Sequence, residues 1–347
     1  MRILFLTEGT TVPATRFRVG QFLPHFAAAG IRPVVRHAYG DGYNRITQTA
    51  LDVPYRVLSR AGRVLMSLDA GRFDLVFLQR PAFPFLSGPE RLVHALNGRT
   101  LFDFDDSIFL DARGREGRRA VAFDRTVRTV AHNIAGNRWL AERAAQPGRT
   151  TVIPTVIDTD RFVPAPRSGA PVIGWMGTRG NFPSLDTVAA AVAEVLGRHP
   201  RARFRVVSNA LWEGLPGHPR VERLLWSAET EIPLLQSFDV GLMPLPDNDL
   251  TRGKCGFKMI QYMAVGAAVV ASPTGANAEI FEGSEAGALA ETPAEWTAAM
   301  HRLLEDVAAR RRAGEAARSH AVGYYSVRAV LPRYLELFER HRRPQTP

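Results

Sequence analysis

Lys254 and Lys258 are the only lysines in the chain; the remaining 42 of its 44 cationic residues are arginines. Both lie in LTRGKCGFKMIQYMAVGAAVVAS, four residues apart. An ammonium is a compact point charge on a flexible stem, whereas arginine presents a wide planar fork, so lysine spelled twice in an arginine-rich chain points to a site that sets point charges over phosphate oxygens. Upstream, DVGLMPL reads as a buried strand and PDNDLTRG as the loop at its end. GFKMIQYMA then reads as a helix whose free N–H groups and dipole favour an anion. Begun near Lys254, this helix would carry Lys254, Lys258 and Gln261 on one face, with Phe257, Ile260 and Ala264 on another that can pack on a sheet. Arg252 is expected to converge on the same spot. The chemistry implied is the binding of a diphosphate.

Four further constellations are candidates. WMGTRGN, with Gly177, Thr178 and Arg179, is a glycine turn after a strand that lets backbone approach a pyrophosphate. SPTGANAEI repeats that arrangement, and Gly275, Ala276 and Asn277 would offer backbone and amide groups to a ligand; Glu279 follows them. In the first half, TEGTTVPATRFRVG sets Arg16 and Arg18 near a helix start, either as a surface pair or facing a cleft where they meet an anion. LFDFDDSIF ends a strand with Asp103, Asp105 and Asp106, read as acceptor-binding groups or a proton acceptor, or as a structural turn. His25, His37, His94 and His132 lack ligand spacing and are expected to be structural.

These residues need a scaffold that brings loops together, and the pattern supplies one. RILFLTE, IRPVVRHA, DLVFLQ and RTLFDF are short apolar runs with a helical VGQFLPHFAAAG among them. The second half alternates PVIGWMG, SLDTVAAAVAEVLGRH, RFRVVSN, ETEIPLLQSF, DVGLMPL, GFKMIQYMAV and AAVVAS in the same rhythm. Two doubly wound, Rossmann-like parallel α/β domains in tandem, with a cleft between them, are expected. The first spans residues 1–160 and the second 161–325. The proline-rich TVIPTVIDTDRFVPAPRSGAP marks the linker at about residues 154–170. From Trp296 the tail reads as helix, broken near Gly323, and residues 326–347 form a last helix and tail that can pack back on the first domain.

At 347 residues, 46% hydrophobic and 22% charged, the chain can bury two ordinary cores, which excludes a disordered tail protein. The formal charge is +10, yet the arginines are scattered and form no basic run, so no nucleic-acid partner is expected. The single Cys255 excludes an internal disulfide and a multi-thiolate metal cage. MRILFLTEGTT is too short an apolar run for a leader, and no stretch reaches about 18 apolar residues. A cytoplasmic location with peripheral membrane contact left open is the expectation.

GKCGFKMIQYMAVGAAVVASPTGANAEI resembles the C-terminal signature of glycosyltransferase family 4, the retaining enzymes of GT-B fold. TVIPTVIDTDRF resembles that family's interdomain phrase, and DVGLMPLPDND and VERLLWS fit the same pattern. The likeness is good from about Asn133 to Ser326 and loose before it. It implies transfer of a sugar from a nucleotide diphosphate sugar to an acceptor hydroxyl or amine on a small molecule or glycan, with retention and with neither metal nor cofactor. It further implies that Lys254 and Lys258 act on the diphosphate, that Gly177, Thr178, Arg179, Arg252, Gln261, Gly275, Ala276 and Asn277 hold the donor, and that Trp226 stands near the nucleobase. Asp105 and Asp106, with Arg16 and Arg18, would serve the acceptor side. Many family members carry two glutamates eight apart where this chain has Gly253 and Gln261, and the family's cations after the first strand of the second domain are missing, Pro183 standing at one position. A catalytically silent nucleotide-binding scaffold is therefore an alternative. So is a metal-dependent transferase of the GT-A kind, because Asp103 and Asp105 spell its D-x-D. Donor base, sugar and acceptor depend on loops such as residues 40–60 and 111–120.

Overall fold

The computed structural model describes residues 1–40 and 51–342, so the loop reading for residues 41–50 lies outside the described residues. Two compact units emerge: Met1–Val156 with Gly253–Cys255 and Val330–Pro347, and Ile157–Arg252 with Gly256–Ala329.

The first unit is built on a six-stranded sheet of β1 (Arg2–Gly9), β2 (Arg32–Tyr39), β3 (Leu75–Gln79), β4 (Thr100–Phe104), β5 (His132–Ala135) and β6 (Thr150–Val152) in the order β2-β1-β3-β4-β5-β6. Every pairing is parallel. LVFLQ and TLFDF are buried at all positions, as strands covered on both faces must be. The helical stretch expected at VGQFLPHFAAAG is instead two pieces, a tight turn at Gly20–Phe22 and a helix at Leu23–Ala28, and a separate short helix, Pro13–Arg18, precedes them. Pro24 explains the break, since it cannot donate within a helix but suits the first turn of a new one. Phe22 and Phe26 from these pieces pack with Tyr334 and Phe338 of the Val327–His341 helix, ring centroids 5.0 Å apart for Phe22 and Tyr334 and 5.2 Å for Phe26 and Phe338.

The second unit carries β7 (Val172–Met176), β8 (Arg203–Ser208), β9 (Val221–Leu225), β10 (Val240–Met243), β11 (Ala268–Ala271) and β12 (Gly287–Leu289) in the order β12-β11-β10-β7-β8-β9, again all parallel. The order reverses where β7 meets β10, which is the switch point at which open α/β sheets bind ligands beyond their carboxyl ends. Trp175, Val192, Leu196, Phe204, Trp212 and Met300 form its core. The expected long helix after β7 is divided into Phe182–Asp186 and Ala189–Arg198. The C-terminal helices are Pro293–Glu305, opened by a Thr292/Glu295 capping box, Val307–Tyr324, capped by Asp306, and Val327–His341. The Asp306 break was not anticipated from the sequence. No helix among the described residues is long and apolar enough to cross a membrane.

Candidate active site

In the second unit the site grows from the β7 and β10 switch point. The helix after LTRGKCG begins at Phe257, not near Lys254, because Gly256 sits at φ 62° and serves as its N-cap. A Cβ at Gly256 would run into the Ile280 side chain. Lys258 therefore occupies the first turn of an eight-residue helix, Phe257–Ala264. Its ammonium lies 5.6 Å from the centre of the Trp175 ring, a cation–π contact that holds the stem across the end of β7. Gly177 is what makes this possible: a Cβ there would come within 2.6 Å of Lys258 Cε. The structure thus brings Gly177 and Lys258 together, beside a tryptophan that the sequence reading did not single out. Thr178 and Arg179 are exposed in the same loop. Their turn is fixed by the Arg179 N–H donating to Asn209 Oδ1 at 2.8 Å and by Asn181 Nδ2 donating to Thr178 Oγ1 at 2.9 Å.

Several expected donor contacts are spent elsewhere. Gln261 does not share an open face with the lysines: it is buried and its Nε2 donates to Glu231 Oε1 at 3.3 Å. The helix starts too late for the spacing from Lys254 to apply, and Gln261 lies on the covered side. Arg252 is not a bare cation, because Nε and Nη2 each donate to Asp247 at 2.8 Å and Nη1 reaches Asp249 at 3.4 Å. Asn277 is fully buried and turns its amide N–H groups to the carbonyls of Ser272 (3.1 Å) and Met243 (3.4 Å), tying together the ends of β11 and β10. Gly275, at φ 55°, would press a Cβ within 2.7 Å of the Arg252 carbonyl oxygen, so glycine is required by the close approach of two loops. Ala276 is buried just behind it. Glu231 and Tyr262, whose hydroxyl accepts from the Met176 N–H at 2.9 Å, are buried polar groups beneath the site that sequence reasoning missed. The clue to Glu231 was an acidic residue directly before the apolar run IPLL.

In the first unit the carboxylates at the end of β4 are locked into ion pairs. Asp103 is completely buried and paired to Arg18, whose Nε donates to both carboxylate oxygens at 3.0 and 2.8 Å. Arg18 also donates to the Ile153 carbonyl at 3.0 Å and Thr155 Oγ1 at 3.3 Å. Arg18 is thus a strut of the core and faces no ligand, contrary to the expectation from its helix-start position. Burial pushes the Asp103 carboxyl up, against the pull of Arg18. Asp105 accepts from Arg80 Nε at 2.8 Å, and Arg80 Nη1 reaches Glu8 Oε2 at 3.2 Å. Burial would raise the Asp105 carboxyl, but Arg80 and Arg18 hold it below its ordinary range. A carboxylate so stabilised is a weak proton acceptor, which argues against the expected base role. With Asp103 tied to Arg18 and Asp105 to Arg80, the D-x-D spelling forms two separate ion pairs and not a shared metal-binding pair. Asp106 accepts from the Ser107 N–H at 2.9 Å, the local turn geometry of an aspartate after a strand. Arg16 lies with its guanidinium carbon 4.8 Å from the Phe17 ring centre.

Gly253–Cys255 packs in this unit. The Lys254 carbonyl accepts from Asn137 Nδ2 at 3.1 Å, and Cys255 Sγ donates to the Asp105 carbonyl at 3.2 Å. Any side chain at Gly253 would collide with Ser107 Oγ, so an acidic residue cannot stand there in this arrangement. That is the physical reason for one of the two missing glutamates.

Two tandem sheets of this topology, the second in the dinucleotide-binding strand order, define the GT-B fold. The solved structure of Anabaena HepE with UDP-glucose superposes with a TM-score of 0.73 at 16% identity, over 98% of this chain and 100% of that one. Sucrose-phosphate synthase from Thermosynechococcus elongatus gives 0.69 at 14% identity, covering 98% of each chain. Residues 170–306 match the family model Glycosyl transferases group 1. D-inositol 3-phosphate glycosyltransferase of Corynebacterium jeikeium is 30% identical over 203 residues, which cover 50% of this chain and 48% of that protein; the chain spans about half the length of this curated relative.

Proposed function

We propose that the chain transfers a sugar from a nucleoside diphosphate sugar to an acceptor hydroxyl or amine, with retention at the anomeric carbon and without a metal at the reacting centre. The observation that carries this reading is Lys258, held by Trp175 and Gly177 in the first turn of a helix at the carboxyl-end switch point of the second sheet. Departure of a diphosphate builds negative charge, and a cation with helix N–H groups fixed in place stabilises that charge more in the transition state than in the ground state. The presence of UDP-glucose in the HepE structure and the name of the inositol phosphate relative support this donor class and a hydroxyl acceptor. Thr178 and Arg179 line the donor beside Lys258 in this reading.

Lys258→Ala is expected to weaken nucleoside diphosphate binding at least about tenfold while leaving nucleoside binding nearly unchanged, with Lys258→Arg intermediate. Calorimetric titration measures both, and equal losses for the two ligands would remove the phosphate role. Gly253 and Gln261 in place of the paired glutamates favour a second reading, a nucleotide-binding protein that does not turn over. Tight diphosphate binding together with no donor consumption on any acceptor pool selects it. Peripheral membrane contact belongs to the same proposal: on the Asp52–Leu65 helix, Val53, Val57, Leu58 and Leu65 face solvent, an apolar stripe where a globular helix normally turns polar. Leu58→Glu with Leu65→Glu should abolish sedimentation with anionic vesicles and leave the melting temperature within a few degrees of the parent.

A further inference from the structure

Where the Ala189–Arg198 helix ends in the second unit, its cap residue His199 meets the outer face of the Pro293–Glu305 helix, on which His301 and Glu305 lie one turn apart. His199 Nε2 and His301 Nδ1 are 2.6 Å apart, with ring centroids at 4.9 Å, and Glu305 Oε1 is 3.9 Å from His199 Nε2. The three donor atoms fall within 4.8 Å of one another, and they form the one such group among the described residues. Arg220 Nη1 donates to the His199 carbonyl at 2.6 Å, fixing the backbone that carries the first imidazole. His301 Nε2 is buried without a hydrogen-bond partner, so a small rotation of that ring breaks no hydrogen bond on its far nitrogen.

We propose that His199, His301 and Glu305 bind a zinc-type divalent cation, with solvent completing the coordination, and that the ion fastens the two helices together. Two imidazoles and a carboxylate are the donor set such ions take. Opening the nitrogen pair to roughly 3.3 Å would let one ion sit at about 2.0–2.1 Å from each nitrogen. The carboxylate is exposed, with 69% of its side chain accessible, so it can swing onto the ion at little cost. The position separates this site from sugar transfer. His199 lies in the connection that enters β8 and therefore at the amino ends of the strands, whereas Gly177 and Lys258 follow the carboxyl ends. The cation is a cross-link of the fold and has no part in moving the sugar.

The test uses the full-length untagged protein, stripped with a chelator and titrated with Zn2+ and, separately, Co2+. One equivalent is expected to bind saturably, to raise the melting temperature, and in the Co2+ form to give the intense visible bands of a tetrahedral site. His301→Ala and Glu305→Gln should each weaken uptake by more than about tenfold. Nucleoside diphosphate affinity should be the same in stripped and loaded protein. Should His301→Ala fail to fold, Glu305→Gln carries the comparison, because it alters only an exposed carboxylate. Absence of saturable uptake by the parent chain, or uptake that survives in the folded variants, overturns the assignment.

Discussion

With both carboxylate oxygens of Asp103 accepting from Arg18, and the remaining guanidinium nitrogen satisfied by Ile153 and Thr155, this pair has the geometry in which a buried ion pair is tolerated, and its energetics follow from burial. Removing one partner strands the other charge away from water, whereas replacing both with apolar groups of similar volume does not. Arg18→Met is accordingly expected to lower the unfolding free energy by about 3–5 kcal/mol in urea titrations, and Arg18→Met with Asp103→Leu to recover most of that loss. A double variant as unstable as the single one would mean that the pair does more than neutralise itself. The same pair marks the limit of what could be read from the chain. Lysine usage exposed Lys258 directly, because a residue type used only twice is visible without a fold. Arg18 and Asp103 are 85 positions apart, and nothing local distinguishes a cation destined for a core carboxylate from one destined for a ligand. Arg252 and Asn277 differ: their types suit a diphosphate, but nearby groups take them, Asp247 five positions away in one case and the Ser272 carbonyl five positions away in the other.

Elements were legible in proportion to their burial and length. The runs that became β1, β3, β4, β7, β10 and β11 are apolar because parallel strands covered on both faces must be, and each was read from that alone. β6 and β12, three residues each and only partly buried, carry no such run, and the late start of the Phe257–Ala264 helix depends on one left-handed glycine that periodicity does not reveal. The placement of β5 also sets a pH response. His132 on that strand bonds Thr151 Oγ1 at 2.8 Å and lies 5.0 Å ring to ring from His341 of the last helix. Burial, with His341, Arg340 and Arg149 adding repulsion, pulls its imidazole down from an ordinary 6.5 to about 4. Between these values the unfolded chain binds a proton that the folded one refuses, so stability is greatest above about pH 6.5 and declines as the pH falls toward 4. Thermal unfolding across that range should show the decline, and His132→Gln should flatten part of it; His94 and His341, also held low, would retain the remainder. An unchanged slope in His132→Gln would show that this imidazole takes up its proton equally in the folded and unfolded states.

At the scale of the whole chain, the last helix makes the first unit discontinuous in sequence, since Val330–Pro347 belongs to it although the whole of the second unit intervenes. Tyr334, Leu337 and Phe338 are almost fully buried, and the two rings sit among Phe5, Phe22, Phe26 and Phe77. Burying three such side chains is worth roughly 5–9 kcal/mol at about 1.5–3 kcal/mol each, comparable to the net stability of a domain. A chain ending at residue 325 should therefore lose the cooperative unfolding of its first unit rather than merely melt a little earlier. Since truncation removes many contacts at once, Tyr334 supplies the sharper experiment. Its hydroxyl is buried without a hydrogen-bond partner among the described residues, so the ring contributes packing while the oxygen contributes only desolvation. Tyr334→Phe should leave stability unchanged or raise it slightly, whereas Tyr334→Ala should cost about 3–5 kcal/mol. A Tyr334→Phe variant as damaged as Tyr334→Ala would mean that the hydroxyl holds the helix in place, and that the return of the chain to its first unit depends on a polar contact instead of the aromatic cluster.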